Sequence, residues 1–128
     1  MTHRFYAMSA LLMMLGGCAA QQARVCQREG PARLGETAYV GGPMVRPDRL
    51  IEDSRCPVDV QCVRAGDVRV AVTVSGGDWK KEIELSLGKP VQVADGRLTL
   101  LSVAPQKRSG QEIAPDSYRF TFDFKGGL

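Results

Sequence analysis

From Val68 to Val74 every second residue is valine, with Arg69, Ala71 and Thr73 in between. Successive side chains of a strand point to opposite faces, so this alternation gives one apolar face and one mixed face. Ile83, Leu85 and Leu87 alternate with Glu82, Glu84 and Ser86, and Tyr118, Phe120, Phe122 and Phe124 alternate with Arg119, Thr121, Asp123 and Lys125. Each of these runs predicts a half-buried strand. Shorter strands are expected at 37–40, 45–53, 91–93 and 97–103, and Val58 to Val63 adds a short extended piece. Beyond the first twenty residues no segment of ten or more keeps a helical apolar period, so the chain is expected to be all-β.

Glycine and proline punctuate these runs at Gly41-Gly42-Pro43, Gly76-Gly77-Asp78, Gly88-Lys89-Pro90 and Asp95-Gly96. They supply the positive φ angles, or the fixed φ, that chain reversals require. Asp95-Gly96, between Val93 and Leu98, predicts a hairpin through the type I′ preference. About seven short strands bury a core only by packing two sheets or closing a barrel, and an immunoglobulin-like β-sandwich is expected, with a small β-barrel as the alternative. The aromatic face of the last strand should dominate that core. Trp79, after a Gly-Gly-Asp turn, either covers the core or serves a binding surface.

Residues 1–20 read differently, with a basic start at Arg4, an apolar run from Phe5 to Leu15, and then Gly16, Gly17 and Cys18. This is the pattern of an export signal, and the run is shorter than the roughly 20 apolar residues a spanning helix needs. Leu15-Gly16-Gly17-Cys18 resembles a bacterial lipobox, in which an aliphatic residue and two small ones precede the cysteine that receives diacylglycerol. That resemblance implies cleavage before Cys18 and a lipid anchor there. Ala19, being non-acidic, is similar to the sorting signal that sends Gram-negative lipoproteins to the outer membrane. The expected organisation is a signal peptide over 1–17, a lipidated N-terminus and polar tether over 18–34, and a β-sandwich domain over 35–128.

Cleavage would remove His3, the only histidine, and the chain has no asparagine. Ser-His-Asp and Cys-His nucleophiles, histidine bases and histidine-based zinc sites are then excluded, and no carboxylate spacing singles out an acid–base pair. The expectation is a protein that is not an enzyme and takes no cofactor. A net charge of +3, with basic residues scattered among acidic ones, gives no reason to expect nucleic acid.

The segment from Glu52 to Gly66 holds two cysteines, a proline and several charges between strands. In an oxidising compartment Cys56 and Cys62 should pair, closing a short loop worth about 2–3 kcal/mol. Their spacing is neither that of a redox pair nor that of a zinc knuckle. Cys26 is left as a free thiol or an intermolecular disulfide, the rival being a bond to one of the loop cysteines. The staple should present Arg55, Asp59 and Gln61 as candidate binding residues. Calcium held by Glu52, Asp53 and Asp59 is the weaker reading, because such sites need six or more oxygens and these come in no recognisable order.

Asp53-Ser54-Arg55-Cys56-Pro57, then Cys62 and Ala65-Gly66, resembles a segment of small, uncharacterised bacterial lipoproteins and secreted proteins whose pattern continues into a valine-rich strand. Arg64 departs from it, standing where that family usually has tryptophan. The resemblance implies no activity. Together these readings lead to an envelope lipoprotein held at the membrane by its lipid, with a protein- or wall-binding role. The alternatives are a periplasmic small-ligand or metal-binding module and a lysozyme-inhibitor-like protein.

Overall fold

The computed structural model describes residues 30–127, so the signal, Cys18, Cys26 and most of the expected tether lie outside the described residues. Among the described residues seven strands follow in chain order: β1 (Ala38–Tyr39), β2 (Met44–Asp53), β3 (Val68–Ser75), β4 (Lys80–Ser86), β5 (Val91–Val93), β6 (Gly96–Ala104) and β7 (Arg119–Gly126). One 3₁₀ turn, Pro115–Ser117, precedes β7. All strand pairs are antiparallel and form a four-stranded sheet, β1-β2-β3-β4, and a three-stranded sheet, β5-β6-β7. The sheets do not close into a barrel. The chain changes sheet after β4, where Leu87 makes a lone parallel bridge to Leu100.

This is the expected seven-stranded sandwich, and its connectivity is a pair of meanders. The likeness to an immunoglobulin domain therefore lies in strand number and layering, without that domain's Greek-key order. The core follows the period-two pattern. Val70, Val72 and Val74 from β3 and Leu85 from β4 meet Leu98, Leu100, Phe120 and Phe122 from the second sheet, all buried. Phe120 stacks with Tyr118 on one side and Phe122 on the other, at centroid distances of 5.8 and 6.5 Å, so the aromatic face forms one continuous wall.

Three expectations need correction. Val58 to Val63 forms no strand, because the disulfide turns the chain before it can pair. The tether does not run to residue 34: Ala32 is fully buried and exchanges two 2.9 Å backbone hydrogen bonds with Phe120, and Leu34 packs on the core. An edge residue that completes the ladder of β7 belongs to the domain whatever its composition. The hairpin between β5 and β6 exists, but Val93 pairs with Gly96, so the turn residues are Ala94 and Asp95. Ala94 takes the positive φ, at 52°. Gly96 is glycine for another reason, since a Cβ there would overlap the Lys125 carbonyl oxygen on β7.

The reversals gather at two poles. At one, Gly42, Gly76, Trp79, Ala94 and Phe124 lie together. At the other, the 54–67 loop meets the 105–118 connection. Because Ala32 pairs antiparallel with Phe120, the chain at Ala32 runs opposite to β7.

Candidate functional site

At the loop pole the last residue of β2, Asp53, is an ion-pair centre. Nε and Nη2 of Arg55 donate to Oδ1 and Oδ2 of Asp53 at 2.8 and 2.9 Å, and the Tyr118 hydroxyl donates to Oδ2 at 2.8 Å. Nη1 of Arg55 donates to the Val103 carbonyl at 2.9 Å, and the Lys107 ammonium donates to the Asp53 carbonyl at 2.8 Å. The two side chains are only 6% (Asp53) and 15% (Arg55) exposed. Burial works against the Asp53 charge, yet the donated hydrogen bonds of Arg55 and Tyr118 outweigh it and hold the carboxyl at about 2. Burial and the same acceptor push the Tyr118 phenol up to about 12.

The loop beyond is closed at its base. The Ser54 hydroxyl donates to the Asp67 carbonyl at 3.1 Å and accepts from the Asp67 N–H at 2.9 Å. Gly66 lies so close to this base that a Cβ would overlap the Ser54 carbonyl oxygen. Cys56 and Cys62 are joined, which also removes the alternative of a bond from either to Cys26. The loop is then fastened to the 105–118 connection. The Val58 N–H donates to the Lys107 carbonyl at 2.9 Å, and Asp59 accepts from both the N–H and the hydroxyl of Ser109, at 2.9 and 2.7 Å. Those bonds from Ser109 hold the Asp59 carboxyl below the usual range.

These contacts change what the candidate residues do. Arg55 is not presented to a partner, because a guanidinium with an adjacent carboxylate and a backbone carbonyl in reach turns inward to satisfy its fork. Asp59 is exposed but committed to Ser109. Gln61 is exposed. The calcium set is dispersed: Glu52 accepts from Arg69 at 2.8 Å, Asp53 holds Arg55 and Asp59 holds Ser109. Among the described residues no group of three or more histidine, cysteine, aspartate or glutamate side chains could hold a metal. The aspartate, serine, arginine, cysteines and glycine of the 53–66 motif each have a constructional task at this pole.

What the loop does present is apolar. Val58 and Val60 are 51% and 45% exposed and Val63 is fully exposed, on a tip whose backbone is fixed by the disulfide and the Ser109 and Lys107 bonds. Arg64 beside them is also exposed. Next to this tip, a depression of about 340 Å³ is lined by Pro105, Gln106, Arg108, Gln111, Glu112 and Ile113. In the sequence these valines read as a short extended piece; the signal against it is the proline and the paired cysteines that enclose them. Trp79 covers the core at the opposite pole, lying over Gly76, where a Cβ would meet its indole nitrogen. No protein-family model, curated protein or solved structure matches this chain.

Proposed function

We propose that this chain is a non-enzymatic envelope lipoprotein, anchored through Cys18 in the outer membrane on its periplasmic side, whose loop pole docks the apolar groove of a protein partner. The observation that carries the reading is the exposed trio Val58, Val60 and Val63 on a stapled, clamped loop. A fully buried valine is worth about 1.5–3 kcal/mol, and a tip already held in one shape avoids the ordering cost of about 0.5–1.5 kcal/mol per side chain.

The test is a photo-crosslinking residue placed at Val63 of the full chain in intact cells, with Lys81 on the edge of β4 as the control position. A discrete adduct at position 63, absent at 81 and lost on Val58→Ser with Val60→Ser at unchanged melting temperature, is expected. The same adducts at both positions, or adducts that survive the serine variants, would overturn the reading.

A further inference from the structure

The outward face of the four-stranded sheet has a layout that the loop pole does not use. Along β3 the outward residues after Arg69 are small, Ala71 and Thr73, while β2 carries arginines and β4 carries glutamates. The register aligns them in rows, Arg46–Thr73–Glu82 and Arg49–Ala71–Glu84. The result is a trough of about 320 Å³ with a floor at Ala71 and walls of Arg46, Asp48 and Arg49 on one side and Glu82 and Glu84 on the other. Two bulges in β2, between Pro47 and Arg49 and between Leu50 and Glu52, flank Arg49. Bulges bend a strand and re-aim its side chains, and they gather beside binding sites.

Most charges of the trough are already spent on one another. Asp48 accepts from Arg46 at 2.7 Å and from the hydroxyl of Thr73, itself only 3% exposed, at 2.6 Å. Glu84 accepts from Arg69 at 2.7 Å, which closes one end. Arg49 and Glu82 are exposed and have no ion-pair partner among the described residues. They stand in adjacent rows of β2 and β4, two strand spacings across and two residues along, so their backbones are about 12 Å apart. A simple anion would meet the glutamates and a simple cation the arginines. A ligand with one charge of each sign somewhat closer together than those backbones satisfies both, because both side chains line the trough between them, and an extended chain of three residues spans about 10 Å.

We infer that the trough binds a short peptide with free ends, its carboxylate held by the Arg49 fork, its ammonium by Glu82 and its backbone laid over Ala71. The volume lies at the lower limit of ordinary ligand sites, which suits a ligand of that size. This site is on a sheet face and does not depend on the loop pole.

The test is calorimetric titration of the full chain with trialanine, with its N-acetyl derivative and with its C-terminal amide. Free trialanine should bind, and each cap should weaken binding about tenfold, the size of a lost charge-assisted contact. Arg49→Ala should bind the free peptide and the amide equally, and Glu82→Ala should bind the free and acetylated peptides equally. Ala71→Leu, which fills the floor, should lose binding with the fold retained by circular dichroism. No saturable binding up to about 10 mM, a weaker interaction than any specific site of this size, would overturn the inference. So would caps without effect, or cap effects that persist in Arg49→Ala and Glu82→Ala.

Discussion

The hydroxyl of Tyr118 donates to Oδ2 of Asp53 across 65 residues of sequence, at 2.8 Å. This bond ties the first residue of the aromatic wall to the carboxylate that also holds Arg55. The core of the sandwich and the base of the stapled loop are therefore one construction, and the loop inherits the rigidity of the core.

Tyr118→Phe keeps the ring and removes only the donor. It should cost about 1.5–3 kcal/mol, the range for a hydrogen bond to a charged group. Arg55→Ala should cost about 3 kcal/mol, because it leaves the buried Asp53 carboxylate without its main partner. Urea unfolding at neutral pH measures both. A loss under about 0.5 kcal/mol for Arg55→Ala, the size of an ordinary surface change, would return that residue to the list of surface contacts.

The pH dependence has a definite sign. Asp53 is depressed to about 2 in the folded protein, so its contribution is complete above the ordinary carboxylate pKa and is lost as pH falls from about 4 through 2. Each pKa unit is about 1.4 kcal/mol, and with discounting for partial solvent access the loss should reach about 1–2 kcal/mol. Tyr118 has the opposite sense: its contribution is complete below pH 10 and is lost as pH rises through about 12. Unfolding free energies of wild type and Asp53→Asn should converge as the pH is lowered toward 2.

Two small substitutions separate glycine needed for space from glycine needed for φ. Gly66→Ala should destabilise by about 2 kcal/mol or more, since its Cβ must displace the Ser54 backbone. Ala94→Gly should stabilise, by up to about 1 kcal/mol, because Ala94 already carries a positive φ that glycine adopts without a Cβ clash. Thermal melts of the two variants should shift in opposite directions.

Opening the Cys56–Cys62 bond, as in Cys56→Ser with Cys62→Ser, should lower stability by about 2–3 kcal/mol on the chain-entropy account of a short loop. Its local effect should be larger at the tip than in the core. Hydrogen exchange should accelerate at 57–64 while the amides of β3 and β7 stay protected relative to global unfolding.

Cys18→Ser tests the anchor separately from the domain. Metabolic labelling with a fatty acid should label the wild-type chain and leave the variant unlabelled and unprocessed. Label retained in the variant would remove the lipoprotein reading and leave the sandwich unaffected.

By itself the sequence determined the layers of this protein. The valines of β3 and the aromatic residues of β7 show their buried face in period two, because strand geometry makes side-chain direction a local property. The cysteine pairing was legible in a similar way, because Cys56 and Cys62 lie only six residues apart and a short loop brings them together. Tertiary structure alone decided where Arg55 points, since its acceptors include the Val103 carbonyl and the carboxylate shared with Tyr118, both far along the chain. It alone docked Ala32 on Phe120, moved the hairpin turn onto Ala94, and left Val58, Val60 and Val63 in solvent. The row that sets Arg49 and Glu84 on either side of Ala71 likewise exists only in the register of three strands. Periodicity states which side of a strand is apolar; what that side meets depends on contacts between residues distant in sequence, and those form only when the sheets pack.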